Sequence, residues 1–449
     1  STYRIQFHKD FTFNDLEKVL PYLQKLGVST IYASPIFEAV PGSLHGYDVV
    51  NPHRINPEIG TEDQLRDISK KLKEAGINWL QDIAPNHMAF HSANEWMMDV
   101  LEKGPQSLYA PYFDVAWNSQ LYHGRVMVPF LGLPLQDVIK NGELAIGYDH
   151  QRFVCKYFES SYPLQPKSYA TILMAANEQP SQAVQQLIDQ IPKMEDEQSY
   201  TERWNEIRLQ LAALMKNDIT KDYIEKCIKA INESSEQLQQ IMDEQSYRLC
   251  HYQETDYQIN YRRFFTDNGL ICLNIHVKKV FDDYHKVIKT LVDDGVFQGL
   301  HIDNIDSLYD PTTYLNQLRE LMGEETYIVV EKILEPGEGL PKQWPVQGNT
   351  GYEFLPMINN LFTNQSSEQS FAHFYRKLTK NHKSIHQHLH DKKSYILYKH
   401  MGGELENLYQ LFMQTGLVQK EDYAQMRTED IKTVIAEFLI QCPVYRYYG

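Results

Sequence analysis

The chain has 449 residues, 42% hydrophobic and 23% charged, with no enrichment of Pro or Gly and no low-complexity tract, which excludes a disordered or fibrous protein. A formal net charge of −16 argues against nucleic acid or an anionic membrane as partner. The five cysteines, Cys155, Cys227, Cys250, Cys272 and Cys442, are scattered without a C-x-x-C pair, so neither a disulfide framework nor a thiolate metal site is indicated.

No stretch approaches the ~20 apolar residues of a membrane span. The opening Ser1-Thr2-Tyr3-Arg4-Ile5 lacks the apolar run of a secretory signal. A soluble, cytoplasmic protein with no nucleic-acid and no membrane partner is the expectation.

In chain order, residues 3–7 read as a strand. Residues 13–27 read as a helix capped at Asn14, with Leu16, Val19, Leu20, Leu23 and Leu26 on one face and a terminating glycine. A second strand (28–34), a second helix (62–76) and a third strand (78–83) follow. The rhythm resumes with a helix at 282–294, a strand at 298–303, a helix at 311–322 and a strand at 326–331. This alternation predicts parallel strands joined by helical crossovers, hence an α/β barrel interrupted by long insertions. Five segments are expected. Residues 1–90 form a first barrel segment, 91–170 an irregular aromatic-rich lobe and 171–250 a helical insertion. Residues 251–355 form a second barrel segment, and 356–449 a mostly helical stretch running to about the sixth barrel strand. Within the helical insertion Trp204, Ile207, Leu211 and Leu214 recur at helical spacing, and the apolar run 434–448 is a candidate further strand.

Chemistry in such a barrel sits where strands end. The strand ends here are polar: His45-Gly46-Tyr47-Asp48, Asp82-Ile83-Ala84-Pro85-Asn86-His87, His301-Ile302-Asp303-Asn304 and Val330-Glu331-Lys332. Any one of these could be a satisfied polar group closing a strand; four together point to a shared site. Asp303 and Glu331 end neighbouring strands, where two carboxyls can flank one substrate bond. Retaining glycoside chemistry needs such a pair at roughly 5–5.5 Å. An apolar run before Glu331 is expected to raise its proton affinity toward that of a working acid. The candidate substrate-binding residues are His45, Tyr47, Asp48, Asp82, Asn86, His87, His301 and Asn304. No H-E-x-x-H, EF-hand loop, P-loop or G-x-G-x-x-G occurs, so neither a metal nor another cofactor is expected.

These residues resemble a known family. Residues 82–87, 301–303 and Glu331 fall in order at the first three sequence regions of the α-amylase superfamily. Finer motifs are similar to the maltooligosyl trehalose synthases: Thr2-Tyr3-Arg4, Ser34-Pro35-Ile36, Pro41-Gly42-Ser43-Leu44-His45-Gly46-Tyr47-Asp48-Val49, Asp99-Val100-Leu101-Glu102-Lys103-Gly104-Pro105, Ile259-Asn260-Tyr261-Arg262-Arg263-Phe264-Phe265 and Trp344-Pro345-Val346-Gln347-Gly348-Asn349-Thr350-Gly351-Tyr352. The resemblance implies a (β/α)8-type TIM barrel with long insertions, expected to be incomplete in this chain, so that a further C-terminal segment would complete it. It implies a maltooligosaccharide or α-1,4-glucan substrate, whose reducing-end α-1,4 link becomes an α,α-1,1 link by retaining double displacement. Asp303 is then the nucleophile and Glu331 the acid/base.

The chain departs from the family pattern Gly-Leu-Arg-Ile-Asp-His at the nucleophile. It reads Gly299-Leu300-His301-Ile302-Asp303-Asn304, with Ser307 where a glycine is usual. Histidine cannot make the forked contact of an arginine. The third family carboxylate lies beyond Glu331; His390-Asp391 is read instead as a surface turn. A catalytically silent carbohydrate-binding derivative and an α-glucan hydrolase stay open beside the isomerase.

Overall fold

The computed structural model describes residues 1–119, 122–194, 200–417, 423 and 425–448. The chain forms two compact units: residues 1–86 with 256–258 and 275–449, and residues 87–255 with 259–274.

The first unit is built on a sheet of six parallel strands that follow one another in chain order. They are β1 (Thr2–Ile5), β2 (Thr30–Ala33), β3 (Asn78–Ile83), β4 (Gly299–Ile302), β5 (Tyr327–Val330) and β6 (Gly348–Asn349). The sheet curls into a half-barrel. Helices α1 (Phe13–Leu26), α2 (Glu62–Glu74), α3 (Lys278–Asp293) and α4 (Pro311–Met322) make the crossovers.

Local chemistry sets these boundaries. Helix α1 starts at Thr12 rather than at Asn14, because Asp15 accepts from both the Thr12 amide (2.9 Å) and the Thr12 hydroxyl (2.8 Å). It ends at Gly27, whose φ of 78° suits a residue without a Cβ. Helix α2 is closed by the Thr61–Gln64 capping box. Leu16, Leu20 and Leu23 of α1 and Leu65, Ile68 and Leu72 of α2 are buried, as an amphipathic stripe requires.

Along the strands, alternate residues face opposite ways. Ile31, Ile83, Leu300, Ile302, Ile328 and Val330 form one buried apolar set. Tyr32, Leu80, Gly299, His301, Tyr327 and Val329 line the other face, around a cavity of about 500 Å³. Gly299 is needed in that layer: a Cβ there would meet the Tyr327 carbonyl oxygen at 2.7 Å.

The sixth strand of the sheet is a correction. The sequence places it near the end of the chain, but Gly348–Asn349 pairs with Val329 and Val330. A two-residue strand of Gly and Asn carries no apolar run, so periodicity cannot reveal it. The candidate strand at 434–448 is instead helix up to Gln441 and irregular from 442 to 448, while residue 449 lies outside the described residues. Helices Phe354–Leu361, Glu368–Thr379 and Ile385–His400 hold no buried residue. Leu405, Tyr409, Ile431, Ala436 and Ile440, on helices Gly402–Thr415 and Thr428–Gln441, are buried. Asp391 lies inside a helix, not a turn, paired with Lys383.

The second unit holds both expected insertions. Its aromatic part is not irregular. It contains an antiparallel sheet of Leu144–Asp149, Arg152–Tyr157 and Ser160–Pro163, and a parallel pair of Val126–Leu131 with Tyr247–His251. The hairpins turn at His150, Gln151 and Phe158, all with positive φ and none a glycine, so the usual turn signal is missing. Helices Gln182–Gln190, Tyr200–Leu214, Asp218–Asn232 and Ser235–Asp243 follow. Trp204, Ile207 and Leu211 are buried as their spacing foretells, whereas Leu214 is only half-buried. Residues 195–199 of the predicted helical insertion lie outside the described residues. Among the described residues no helix is long and apolar enough to cross a membrane.

Candidate active site

Parallel pairing brings the polar strand ends to one rim of the first unit. Asp82 on β3 stands opposite His301 on β4, which stands opposite Val329 on β5. Pairing continues one step further: the Asp303 amide donates to the Ile83 carbonyl at 2.9 Å, and the Glu331 amide to the Ile302 carbonyl at 2.8 Å. With a side-chain period of two, His301 and Asp303 share a face, as do Val329 and Glu331. The two carboxyls therefore leave adjacent strands on the same side.

Asp82 is the hub. Fully buried, it accepts at Oδ2 from Arg4 Nη1 (3.0 Å), Tyr32 Oη (3.0 Å) and Tyr47 Oη (2.6 Å). His301 Nδ1 lies 2.8 Å from Asp82 Oδ1, and its Nε2 lies 2.8 Å from Thr350 Oγ1. A carboxylate can only accept, so Nδ1 carries the proton on this contact. Arg4 spreads its fork further, with Nη2 3.0 Å from Tyr47 Oη and the guanidinium 4.2 Å from the centre of the Tyr32 ring. Burial and the negative charge of Asp82 push the Tyr32 and Tyr47 hydroxyls far above the usual phenol range, so both remain donors.

The Asp303 carboxyl is pushed up to about 9, by burial first and then by the negative charges of Asp82 and Glu331, while Arg4 pulls in the other direction. Ile328 and Val330 pack on the opposite face of the sheet, while Glu331, on the same face as Val329, is half-buried beside hydrogen-bond donors. Its Oε2 accepts from the Asn304 amide at 2.9 Å, and Tyr352 Oη lies 3.4 Å from Oε1. Neighbouring carboxyls do not ionise independently, so the proton affinity of each depends on the charge of the other.

The remaining sequence-predicted residues divide. Asn304 sits at φ 51°, a conformation Asn tolerates, which turns its amide toward Glu331. His45 is exposed; its Nδ1 accepts from the Tyr47 amide at 3.1 Å, and its ring stacks on Tyr47. Asp48 accepts from Ser43 within the same turn at 2.5 Å. Gly46, at φ 76°, lets that turn approach Pro35, whose carbonyl oxygen would lie 2.6 Å from a Cβ. Asn86 is buried at the end of the first stretch of this unit. His87 opens the second unit, buried with its ring 4.8 Å from that of Phe264. Lys332, fully buried, turns to Glu338 (2.9 Å) and Asp306 (3.3 Å).

The sequence reading gave no role to Arg4, Tyr32, Thr350 or Tyr352. Three of the four lie in motifs quoted for the resemblance, Thr2-Tyr3-Arg4 and Asn349-Thr350-Gly351-Tyr352, which were the available signal. Among the described residues no group of three or more His, Cys, Asp or Glu is placed to hold a metal ion.

Residues 12–131 match the family described as "Alpha amylase, catalytic domain". A putative maltooligosyl trehalose synthase of Mycobacterium tuberculosis is 29% identical over 423 residues, covering 91% of this chain and 44% of that protein. A solved glycosyltrehalose synthase superposes with a TM-score of 0.76 at 30% identity, over 100% of this chain and 50% of its own. The maltooligosyltrehalose synthase of Arthrobacter ramosus gives 0.75 at 26% identity, over 100% and 48%. The chain thus spans about half the length of the curated relatives it matches. In sequence and in fold the chain is similar to the maltooligosyl trehalose synthases, and its half-barrel resembles part of the TIM barrel of the α-amylase catalytic domain.

Proposed function

We propose that this chain carries the carboxylate half of a site for intramolecular transglucosylation of maltooligosaccharides, a (1→4)-α-D-glucan 1-α-D-glucosylmutase. The observation that carries the reading is the placement of Asp303 and Glu331 one step beyond adjacent parallel strands, on the same face of the sheet. Asp303 attacks the anomeric carbon while Glu331 gives a proton to the leaving glycosidic oxygen. The freed glucose then turns and attacks the glycosyl-enzyme through its own anomeric hydroxyl, whose proton Glu331 takes back. Each α-1,4 link at a reducing end becomes an α,α-1,1 link, with retention from two inversions.

Of the candidate binding residues, Tyr47, Asp82 and His301 serve this reading by fixing the wall beside Asp303. His45 offers an exposed ring to sugar, and Asn304 orients Glu331 through its amide. Asp48, Asn86 and His87 remain proposals as sugar contacts. The apolar faces of the helices from 354 to 400 are proposed to be covered by a segment that completes the barrel.

A second reading rests on one specific observation. His301, where the family pattern has an arginine, spends its two ring nitrogens on Asp82 and Thr350, and burial beside Asp82 and Glu331 raises the proton affinity of Asp303. That favours a slow or silent glucan-binding derivative. Incubation with maltopentaose separates the readings. Loss of reducing ends without free glucose supports the isomerase. Free glucose indicates a hydrolase, and binding without reaction indicates the silent derivative.

A further inference from the structure

The rim gathers three carboxyls, and the question is what balances them. Asp303 faces Asp82 on β3, Glu331 after β5 and Arg4 on β1. Tyr47 from the loop after β2, Tyr284 from α3 and Tyr352 after β6 also feel its charge, and all three are phenols. His301 on β4 is committed to Asp82 and Thr350. Lys332, the residue after Glu331, is turned away to Asp306 and Glu338. Arg4 is a cation that pulls Asp303 toward ionisation.

We propose that Arg4 is the charge-balancing, positioning residue of this cluster, holding Asp82 directly and, through it, the Asp303–Glu331 pair. The geometry is that of a fork: Nη1 lies 3.0 Å from Asp82 Oδ2, Nη2 lies 3.0 Å from Tyr47 Oη and 3.4 Å from Gln6 Oε1, and the guanidinium plane is backed by the Tyr32 ring. Two rows of the sheet are tied by it. Arg4 stands opposite Tyr32 in the register of β1 and β2, and reaches across to Asp82 on β3. Removing Arg4 leaves Asp82 buried with Tyr32, Tyr47 and His301 as its partners, and the lost positive charge makes ionising Asp303 harder. His301 touches the opposite oxygen of Asp82, so an arginine at that position would return the lost charge from the other side.

The kinetic consequence rests on the glycosyl-transfer reading; the charge balance does not. The test therefore uses two readouts on the full chain: titration of carbon-13-labelled aspartate carboxyls by NMR, with Asp303 assigned through Asp303→Asn, and the pH profile of maltopentaose conversion. Arg4→Gln is expected to move the Asp303 titration upward by roughly one pH unit or more. The acid limb of kcat moves with it, while KM changes little. Arg4→Lys keeps the titration near its original position. Adding His301→Arg to Arg4→Gln brings it back down. An Asp303 titration in Arg4→Gln that overlays the unmodified protein overturns the proposal, as does an added His301→Arg that moves nothing. Should Arg4→Gln alone fail to fold, the double variant is expected to fold because Asp82 regains a cation; a double variant that also stays unfolded overturns it. Absence of turnover in the unmodified protein counts against the functional reading alone, and the NMR titration still decides this one.

Discussion

Two buried carboxyls, one in each unit, show two ways of taking a charge out of water. Asp82 in the half-barrel and Glu102 in the second unit are both fully buried. Asp82 is met by Arg4, Tyr32, Tyr47 and His301, all within 3.0 Å. Glu102 has Arg152 Nε at 3.8 Å and Arg208 Nη1 at 3.9 Å, and neither of its oxygens has a hydrogen-bond partner. Burial pushes the Glu102 carboxyl up, and Arg152, Arg208 and Lys103 only partly pull it back. A nearby opposite charge thus offsets little of the desolvation when no donor reaches the oxygen. Asp303 is the intermediate case: it is raised by burial and by its own neighbours' negative charge, and that tension sits where bond-making is proposed.

The largest effect that sharpens this contrast is expected at Asp303. Asp303→Asn should lower conversion by at least roughly 10³-fold, measured as loss of reducing ends. The same change should stabilise the protein at neutral pH. A carboxyl raised to about 9 contributes stability that is complete below the ordinary carboxylate range and is lost as pH climbs toward 9. Asparagine has no such loss, so the gap in melting temperature should widen from pH 5 to pH 9; a constant gap would break the interpretation.

Asp82→Ala comes next. It strands Arg4, Tyr32, Tyr47 and His301, and should cost about 3–5 kcal/mol in urea unfolding followed by a probe in the first unit. A cost below 1 kcal/mol would show that the network is incidental. Glu102→Gln removes a charge that has no hydrogen bond to lose, and should cost roughly 1 kcal/mol or less near pH 5. Because the Glu102 carboxyl is raised in the folded state, its stabilising contribution fades as pH rises, so the variant should gain on the unmodified protein toward pH 8. The opposite trend would mean that Glu102 is well paired after all. The smallest effect is at Asn304, where the left-handed backbone makes Asn304→Ala cost about 1 kcal/mol and Asn304→Gly less. Equal costs for the two would remove backbone conformation as the reason for asparagine there.

Much of the half-barrel was legible because its strands are continuous apolar runs flanked by capped helices. Residues 78–83 and 311–322 coincide with β3 and α4. The short strand β6 was not, since Gly348 and Asn349 carry no hydrophobic signal and owe their pairing to β5. Asp303 and Glu331 could be read from their positions after strands. The partners of Asp82 could not, because Arg4, Tyr32 and Asp82 meet only through the register of three strands separated by 28 and 50 residues. Asp48 was misleading for the opposite reason: a polar residue beside a strand end was available to close its own turn. The C-terminal helices show a further limit. Phe362 and Leu361 are 86% and 75% exposed, so amphipathic spacing foretold the helix but not what covers it.

The most direct test of the proposed chemistry is to trap the intermediate. A fluorinated α-glucosyl fluoride, which slows breakdown of a glycosyl-enzyme, would be incubated with the full chain and the labelled peptide identified by mass spectrometry. A single glucosyl adduct on Asp303, absent from Asp303→Asn, is the predicted result. An adduct on another carboxyl, or none under conditions where maltopentaose is converted, would contradict Asp303 as the nucleophile.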